Sequence, residues 1–210
     1  MRYRILLTAF VLVTTAARAD GPPSGFVALF DGKTLAGWQV VGGKKEAWTV
    51  RDGILTCTGG AGGWLMSRGP YRDFDLRLEY RISKHGNSGV AIRSPLRGRP
   101  SEVGMEIQIL DDPDYQGLKP TQYTGAVYGV VPPREQAGKP AGEWNTLRIV
   151  ARGRRVQVEV NGKTVVDANL DDHRDAVKEH PGIRRADGHV GLQDHGGTLE
   201  FRNLHIKELK

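Results

Sequence analysis

Glu106, Gln108 and Asp111 stand close together in the run Gly104-Met105-Glu106-Ile107-Gln108-Ile109-Leu110-Asp111. In a β-strand this spacing places Glu106 and Gln108 on one face, with Asp111 at the strand end. Val103, Met105, Ile107 and Ile109 share the opposite face. A strand that buries one side and carries a carboxyl and an amide on the other can move a proton and hold hydroxyl groups. Two further stretches have the same habit. Asn87-Ser88-Gly89-Val90-Ala91-Ile92-Arg93 sends Val90 and Ile92 inward and leaves Asn87, Gly89, Ala91 and Arg93 on the other side. His189-Val190-Gly191-Leu192-Gln193-Asp194-His195 buries Val190 and Leu192 and presents His189, Gly191, Gln193 and His195. Glycine and alanine between the polar groups leave room for something to approach.

An ordinary solvent face looks different. In Asp73-Phe74-Asp75-Leu76-Arg77-Leu78-Glu79-Tyr80-Arg81-Ile82 the polar side alternates in charge, which reads as a wet face with cross-strand ion pairs. Glu106, Gln108, Arg93, Gln193 and His195 make one site only if their three strands are neighbours with these faces on the same side. The competing readings are a solvated face for Glu106 and Gln108, a surface ion pair for Arg93, and a turn cap before Gly196-Gly197 for His195. His189 reads as structural.

The elements that must position these residues are strands. Twenty-eight glycines and eleven prolines punctuate short β-rich runs, as expected of an antiparallel fold with frequent turns. Strands are expected at 26–30, 38–41, 48–50, 54–58, 64–67, 74–82, 88–93, 103–110, 125–128, 145–151, 154–160, 163–169, 188–193 and 198–209. Asp52-Gly53 and Asn161-Gly162 are hairpin turns. The apolar phase slips between Leu199/Phe201 and Leu204/Ile206, predicting a bulge at Arg202-Asn203. Residues 111–143 form a long irregular region, the kind that is often functional. Residues 171–179 carry too few apolar residues for a buried helix and read as a loop with a turn or two. Two packed antiparallel sheets in an all-β jelly-roll sandwich accommodate these elements.

Arg2 and Arg4, the apolar Ile5 to Val13 and the Ala17-Arg18-Ala19 site read as an export signal over residues 1–19. A leader at 20–25 and a single domain at 26–210 follow, in a protein expected in the periplasm or outside the cell. No apolar run is long enough for a membrane span. Cys57 is the only cysteine, so no internal disulfide supports the fold. The net charge of +6 includes Arg2, Arg4 and Arg18 and falls to +3 without them, too little to argue for nucleic acid.

Trp48 and Trp144 are expected in the core. Trp64, next to Gly62-Gly63, and the loop residues Tyr115, Tyr123 and Tyr128 could stack on a sugar ring. Arg152, Arg154, Arg155, Arg184 and Arg185 fall at turns and read as solvated surface. His189 and His195 lack close ligand spacing, Asp111, Asp112 and Asp114 lack an EF-hand pattern, and there is no G-x-S-x-G elbow. Neither a metal nor another cofactor is called for.

Phe26-Val27-Ala28-Leu29-Phe30-Asp31-Gly32-Lys33-Thr34-Leu35 with Gly37-Trp38, Asn87-Ser88-Gly89 to Arg93, Glu106-Ile107-Gln108 to Asp111, Thr124-Gly125-Ala126 to Tyr128, Gly142-Glu143-Trp144-Asn145, Gly191-Leu192-Gln193-Asp194-His195-Gly196 and Phe201-Arg202-Asn203 together resemble the 3-keto-disaccharide hydrolase domain family. The resemblance covers nearly all of residues 26–210. It implies a concanavalin A-like lectin/glucanase sandwich and cleavage of glycosides whose glucose ring is oxidised at C3. The ketone acidifies the C2 proton, so the implied route is proton abstraction, elimination of the C1 group and hydration. On this reading Glu106 or His195 is the base and the other assists departure. Arg93 and Gln108 hold the enolate or ring hydroxyls, and Asp111, Asn87, Gln193, Tyr128 and Trp64 line the saccharide site. A non-catalytic saccharide-binding module and a retaining glucanase are the alternatives.

Overall fold

The computed structural model describes residues 21–210. The export signal read over residues 1–19 lies outside the described residues. In chain order the strands are β1 (Val27–Ala28), β2 (Trp38–Val41), β3 (Trp48–Arg51), β4 (Ile54–Cys57), β5 (Trp64–Tyr71), β6 (Phe74–Ile82) and β7 (Asn87–Ser94). A single helical turn, α1 (Pro100–Val103), precedes β8 (Met105–Leu110). After the long connection come β9 (Asn145–Arg152), β10 (Arg155–Val160), β11 (Lys163–Asn169), β12 (Gly188–Gln193) and β13 (Leu199–Glu208).

These strands form two antiparallel sheets. The larger has the order β11-β10-β9-β6-β13-β4-β3, with β1 pairing the second half of β13 beyond the end of β4. The smaller has the order β2-β5-β12-β7-β8. The alternation in β6 settles which way the large sheet faces. Phe74, Leu76, Leu78, Tyr80 and Ile82 are buried toward the small sheet. On the other face Asp75 pairs with Arg77 and Arg148, Glu79 with Arg202, and Arg81 with Glu200. From the small sheet, Leu65, Val90, Ile92, Ile107, Ile109, Val190 and Leu192 complete the core, each contributing about 1.5–3 kcal/mol of burial.

Turn chemistry fixes the registers. Asp52 and Gly53 (φ +52° and +79°) and Asn161 and Gly162 (φ +51° and +79°) adopt the left-handed pair that a two-residue hairpin needs. The β13 bulge falls between Arg202 and His205, with Asn203 at φ +52°. The expected strand at 103–110 starts two residues late because Pro100 opens α1. Residues 170–178 form 3-10 turns with a kink at His173. Residues 125–128 pair along the free edge of β8 through Gly125 N–H to Gln108 O, Gln108 N–H to Ala126 O and Tyr128 N–H to Glu106 O.

Candidate active site on the small sheet

The strand registers lay out the side of the small sheet that faces away from the main core as two rows. Glu106 is opposite Ala91, Ala91 opposite Gly191, Gly191 opposite Met66, and Met66 opposite Gln39. In the next row Gln108 is opposite Gly89, and Gln193 is opposite Trp64, which is opposite Val41. Leu192 pairs with Val90, so the following residue, Gln193, falls across from Gly89. Strands distant in sequence thus bring Glu106, Gln108 and Gln193 to one face. Ile107 bridges Val127 beyond β8, which puts Tyr128 level with Glu106.

The glycines here make space for particular side chains. A Cβ on Gly89 would lie 2.2 Å from Glu106 Oε1, so the carboxyl leans across Gly89 toward Gln193. A Cβ on Gly191 would lie 2.2 Å from Met66 Sδ. Met66, Trp64 and Ala91, with Val41 against them, form a small apolar cluster separate from the main core. One side of the floor is therefore carboxyl and amide, and the other is thioether and indole.

Glu106 is 4% exposed. Burial pushes its carboxyl up to about 8, against the opposing pull of the Arg99 charge and the Gln193 amide. Gln108 Nε2 donates to Asn87 Oδ1 at 3.1 Å, which fixes the orientation of that amide. Gln193 Oε1 is buried without a hydrogen-bond partner among the described residues.

Beside this floor lies a cleft of about 420 Å³, lined by Trp64, Gln193, His195, Arg99, Ser101 and the glycine loops at 42 and 62–63. The loops touch backbone to backbone: a Cβ on Gly43 would lie 2.1 Å from Gly62 O. Asp194 ties the second loop down. Its Oδ2 accepts Ala61 N–H at 3.2 Å, and its N–H donates to Gly63 O at 2.9 Å. His195 is exposed at the cleft mouth. Arg99 leads into α1 and pairs with Glu102 at 3.0 Å.

Arg93 is not part of this group. It adopts φ +46° where the β7–β12 register slips, and the bulge turns its side chain away from the face that alternation predicts. It is fully buried. Its Nε donates to Arg72 O, Nη1 to Gly153 O and Nη2 to Asp73 Oδ1 at 2.9, 2.7 and 2.9 Å. The expected catalytic role is thereby corrected to a structural one, because all three nitrogens are committed to the fold. Asp111 is likewise drawn off: its Oδ2 accepts His85 N–H at 3.0 Å, fastening the β6–β7 loop.

Tyr115 also serves that loop, donating to His85 O at 3.0 Å. Tyr128 remains beside Glu106, with its hydroxyl accepting from Gln122 Nε2 at 2.9 Å. Trp144 is half-buried on the outer face of the large sheet, between the Arg202 and Arg81 guanidiniums at 4.0 and 4.9 Å from its ring, and so is not a core residue. Trp48 is buried as expected. Sequence reasoning missed Met66, Arg99 and Asp194. Only the period-2 placement of Met66 two residues after Trp64 carried a usable signal. Among the described residues, no three His, Cys, Asp or Glu side chains gather as a cation cage.

Residues 25–207 match the model of the 3-keto-alpha-glucoside-1,2-lyase-like domain family. A 3-keto-disaccharide hydrolase from Bacteroides thetaiotaomicron is 27% identical over 88% of this chain and 79% of its own length. A crystal structure described as a candidate glycosyl hydrolase, from Parabacteroides distasonis, superposes with TM-score 0.78 at 26% identity. It covers 89% of this chain and 94% of that one. A non-specific endo-beta-1,3(4)-glucanase of family GH16 shares the sandwich alone, with TM-score 0.56 at 13% identity over 91% and 95% of the two chains. With the fold and nearly the whole described length matched, the chain belongs to the 3-keto-alpha-glucoside-1,2-lyase-like domain family.

Proposed function

We propose that this protein is a carbohydrate-active enzyme that cleaves 3-keto-glycosides, 3-keto-disaccharides among them, by elimination across C1–C2 followed by hydration. The observation that carries the reading is Glu106, a carboxyl buried on the small-sheet face among amides, beside the cleft, and raised to about 8. A proton affinity near neutrality suits a group that must both give and take a proton. The match to the family and the name of the Bacteroides thetaiotaomicron relative support the substrate class.

In the proposed reaction a base removes the proton at C2, and the C–H electron pair forms an enolate with the C3 ketone. Collapse of the enolate restores the ketone, forms the C1=C2 bond and expels the C1 oxygen, which takes up a proton. Water then adds across C1=C2. Glu106 and His195 divide the proton transfers. The amides of Gln108 and Gln193, with Asn87, hold the enolate oxygen or ring hydroxyls, and Trp64 provides an apolar wall. A preorganised amide donor stabilises the developing oxyanion more effectively than water does, since water must reorient.

A retaining glycosidase needs two carboxylates about 5–5.5 Å apart. In these two rows Glu106 stands with the amides Gln108 and Gln193, which favours elimination over double displacement. The charged and apolar segment at residues 1–19 supports a site of action in the periplasm or medium.

The test is incubation with a 3-keto-disaccharide and its unoxidised parent, followed by monosaccharide analysis. Release from the keto substrate alone is expected, with Glu106→Gln slower by about a hundredfold or more. Binding without release would leave a saccharide-binding module, and equal release from both would favour an ordinary glycosidase.

A further inference from the structure

Arg93, removed from the catalytic group, builds something else. Its buried guanidinium holds Gly153 O at 2.7 Å, while Asp73 Oδ1 accepts both Arg93 Nη2 and Gly153 N–H at 2.9 Å. The turn between β9 and β10 is thereby clamped from inside on both of its backbone groups. That turn is Arg152-Gly153-Arg154-Arg155, and it borders an open cavity of about 530 Å³ lined by Arg134, Arg152, Arg154, Arg155, Asp167 and Asn169. Four guanidiniums thus face one carboxylate around the cavity.

The two sides of this charge group do not balance. Arg155 forks Asp167 through two 2.6 Å bonds. Arg154 reaches Asp171 at 3.1 Å and Ile183 O at 2.8 Å. Arg152 donates to the Lys210 carbonyl at 3.1 Å. The Arg134 guanidinium has no hydrogen-bond or ion-pair partner among the described residues; only its backbone N–H is engaged, by Val165 O. Such planar forks match the paired oxygens of carboxylates and sulfate esters, and a clamped turn spares a ligand the cost of ordering it.

From these observations we propose that the arginine cavity beside the β9–β10 turn is an anion-binding site, separate from the cleft on the small sheet, and, resting on the carbohydrate activity proposed above, that the anion is a sulfate- or carboxylate-bearing glycan. A membrane surface fits less well. Insertion draws on exposed apolar side chains, and the large exposed apolar residues, Val27 and Leu96, do not line this cavity. The site would hold an anionic polymer on one side of the molecule while the cleft works independently.

Titration calorimetry of the intact protein with sulfated dextran, polygalacturonate, plain dextran and phosphatidylglycerol vesicles tests this. Saturable binding to one or both anionic polymers is expected, weakening with salt, with none to plain dextran. Arg134→Ala/Arg152→Ala should weaken it at least tenfold without moving Tm, since both side chains are exposed. Arg134→Glu alone should do the same. Absence of saturable binding, binding unchanged in these variants, or binding only to phosphatidylglycerol vesicles would overturn the proposal.

Discussion

Gly89→Ala tests the site geometry with one carbon atom. The new Cβ would lie 2.2 Å from Glu106 Oε1, 2.6 Å from Cγ and 2.7 Å from Cδ. Ordinary contact begins at 3.4 Å, so the carboxyl must retreat by about 1.2 Å. It cannot do so freely, because Glu106 is 4% exposed and Tyr128 lies level with it on the next strand segment. Overpacking of this kind costs about 1–3 kcal/mol of stability, and displacement of a catalytic group by about 1 Å costs on the order of a hundredfold in rate. The φ at Gly89 is not in the left-handed region, so backbone strain does not confuse the result. The assay is kcat/KM on a 3-keto-disaccharide beside a thermal melt, with Gly138→Ala as control, since a Cβ there meets only Thr124 Cγ2 at 4.0 Å. A folded Gly89→Ala protein with wild-type kcat/KM would refute the placement of Glu106 at the reacting centre.

Arg93→Met should destabilise the fold by about 3–5 kcal/mol, since Asp73 and two carbonyls lose a buried donor; kcat of the folded fraction, measured below its lowered Tm, should not change. Glu106→Gln should have a pH-dependent effect on stability. The native carboxyl titrates at about 8 against 4.5 unfolded, so the folded state binds more protons between these values and wild-type stability falls as pH rises through that window. The variant should therefore gain on wild type by on the order of a few kcal/mol between pH 4.5 and 8, then hold level, as denaturant melts at stepped pH would show. Cys57 is fully buried, with burial pushing its thiol up to about 12. It should resist alkylation in the native protein and react at the rate of global unfolding, read by mass spectrometry.

Much of this architecture was legible because a two-residue period is easily broken and here is not. β6 and β11 run over the same residues, 74–82 and 163–169, that alternation and turn signals mark out. The same rule put Glu106, Gln108 and Gln193 outward, and the pairing made them neighbours. It failed at Arg93 because a single left-handed residue reverses the direction of a side chain, and nothing in the local sequence announces that bulge. The tie of Asp111 and Tyr115 to the His85 backbone was not legible, because His85 lies about thirty residues upstream in another loop. Trp144 looked like core by residue type, yet two arginines from different strands cover its ring instead. Arg99 gave no signal, since its influence on Glu106 depends on how the β7–α1 loop folds back.

The central claim is that a C2 proton is removed on the small-sheet face that carries Glu106, beside the cleft at Gln193 and His195. Its most direct test is turnover of a 3-keto-disaccharide deuterated at C2, followed by mass spectrometry of the released keto sugar. Loss of the deuterium to solvent during cleavage is expected, with both loss and cleavage suppressed in Glu106→Gln. Cleavage that keeps the deuterium at C2 and runs as fast as with the protium substrate would contradict the account, because elimination cannot occur without breaking that bond.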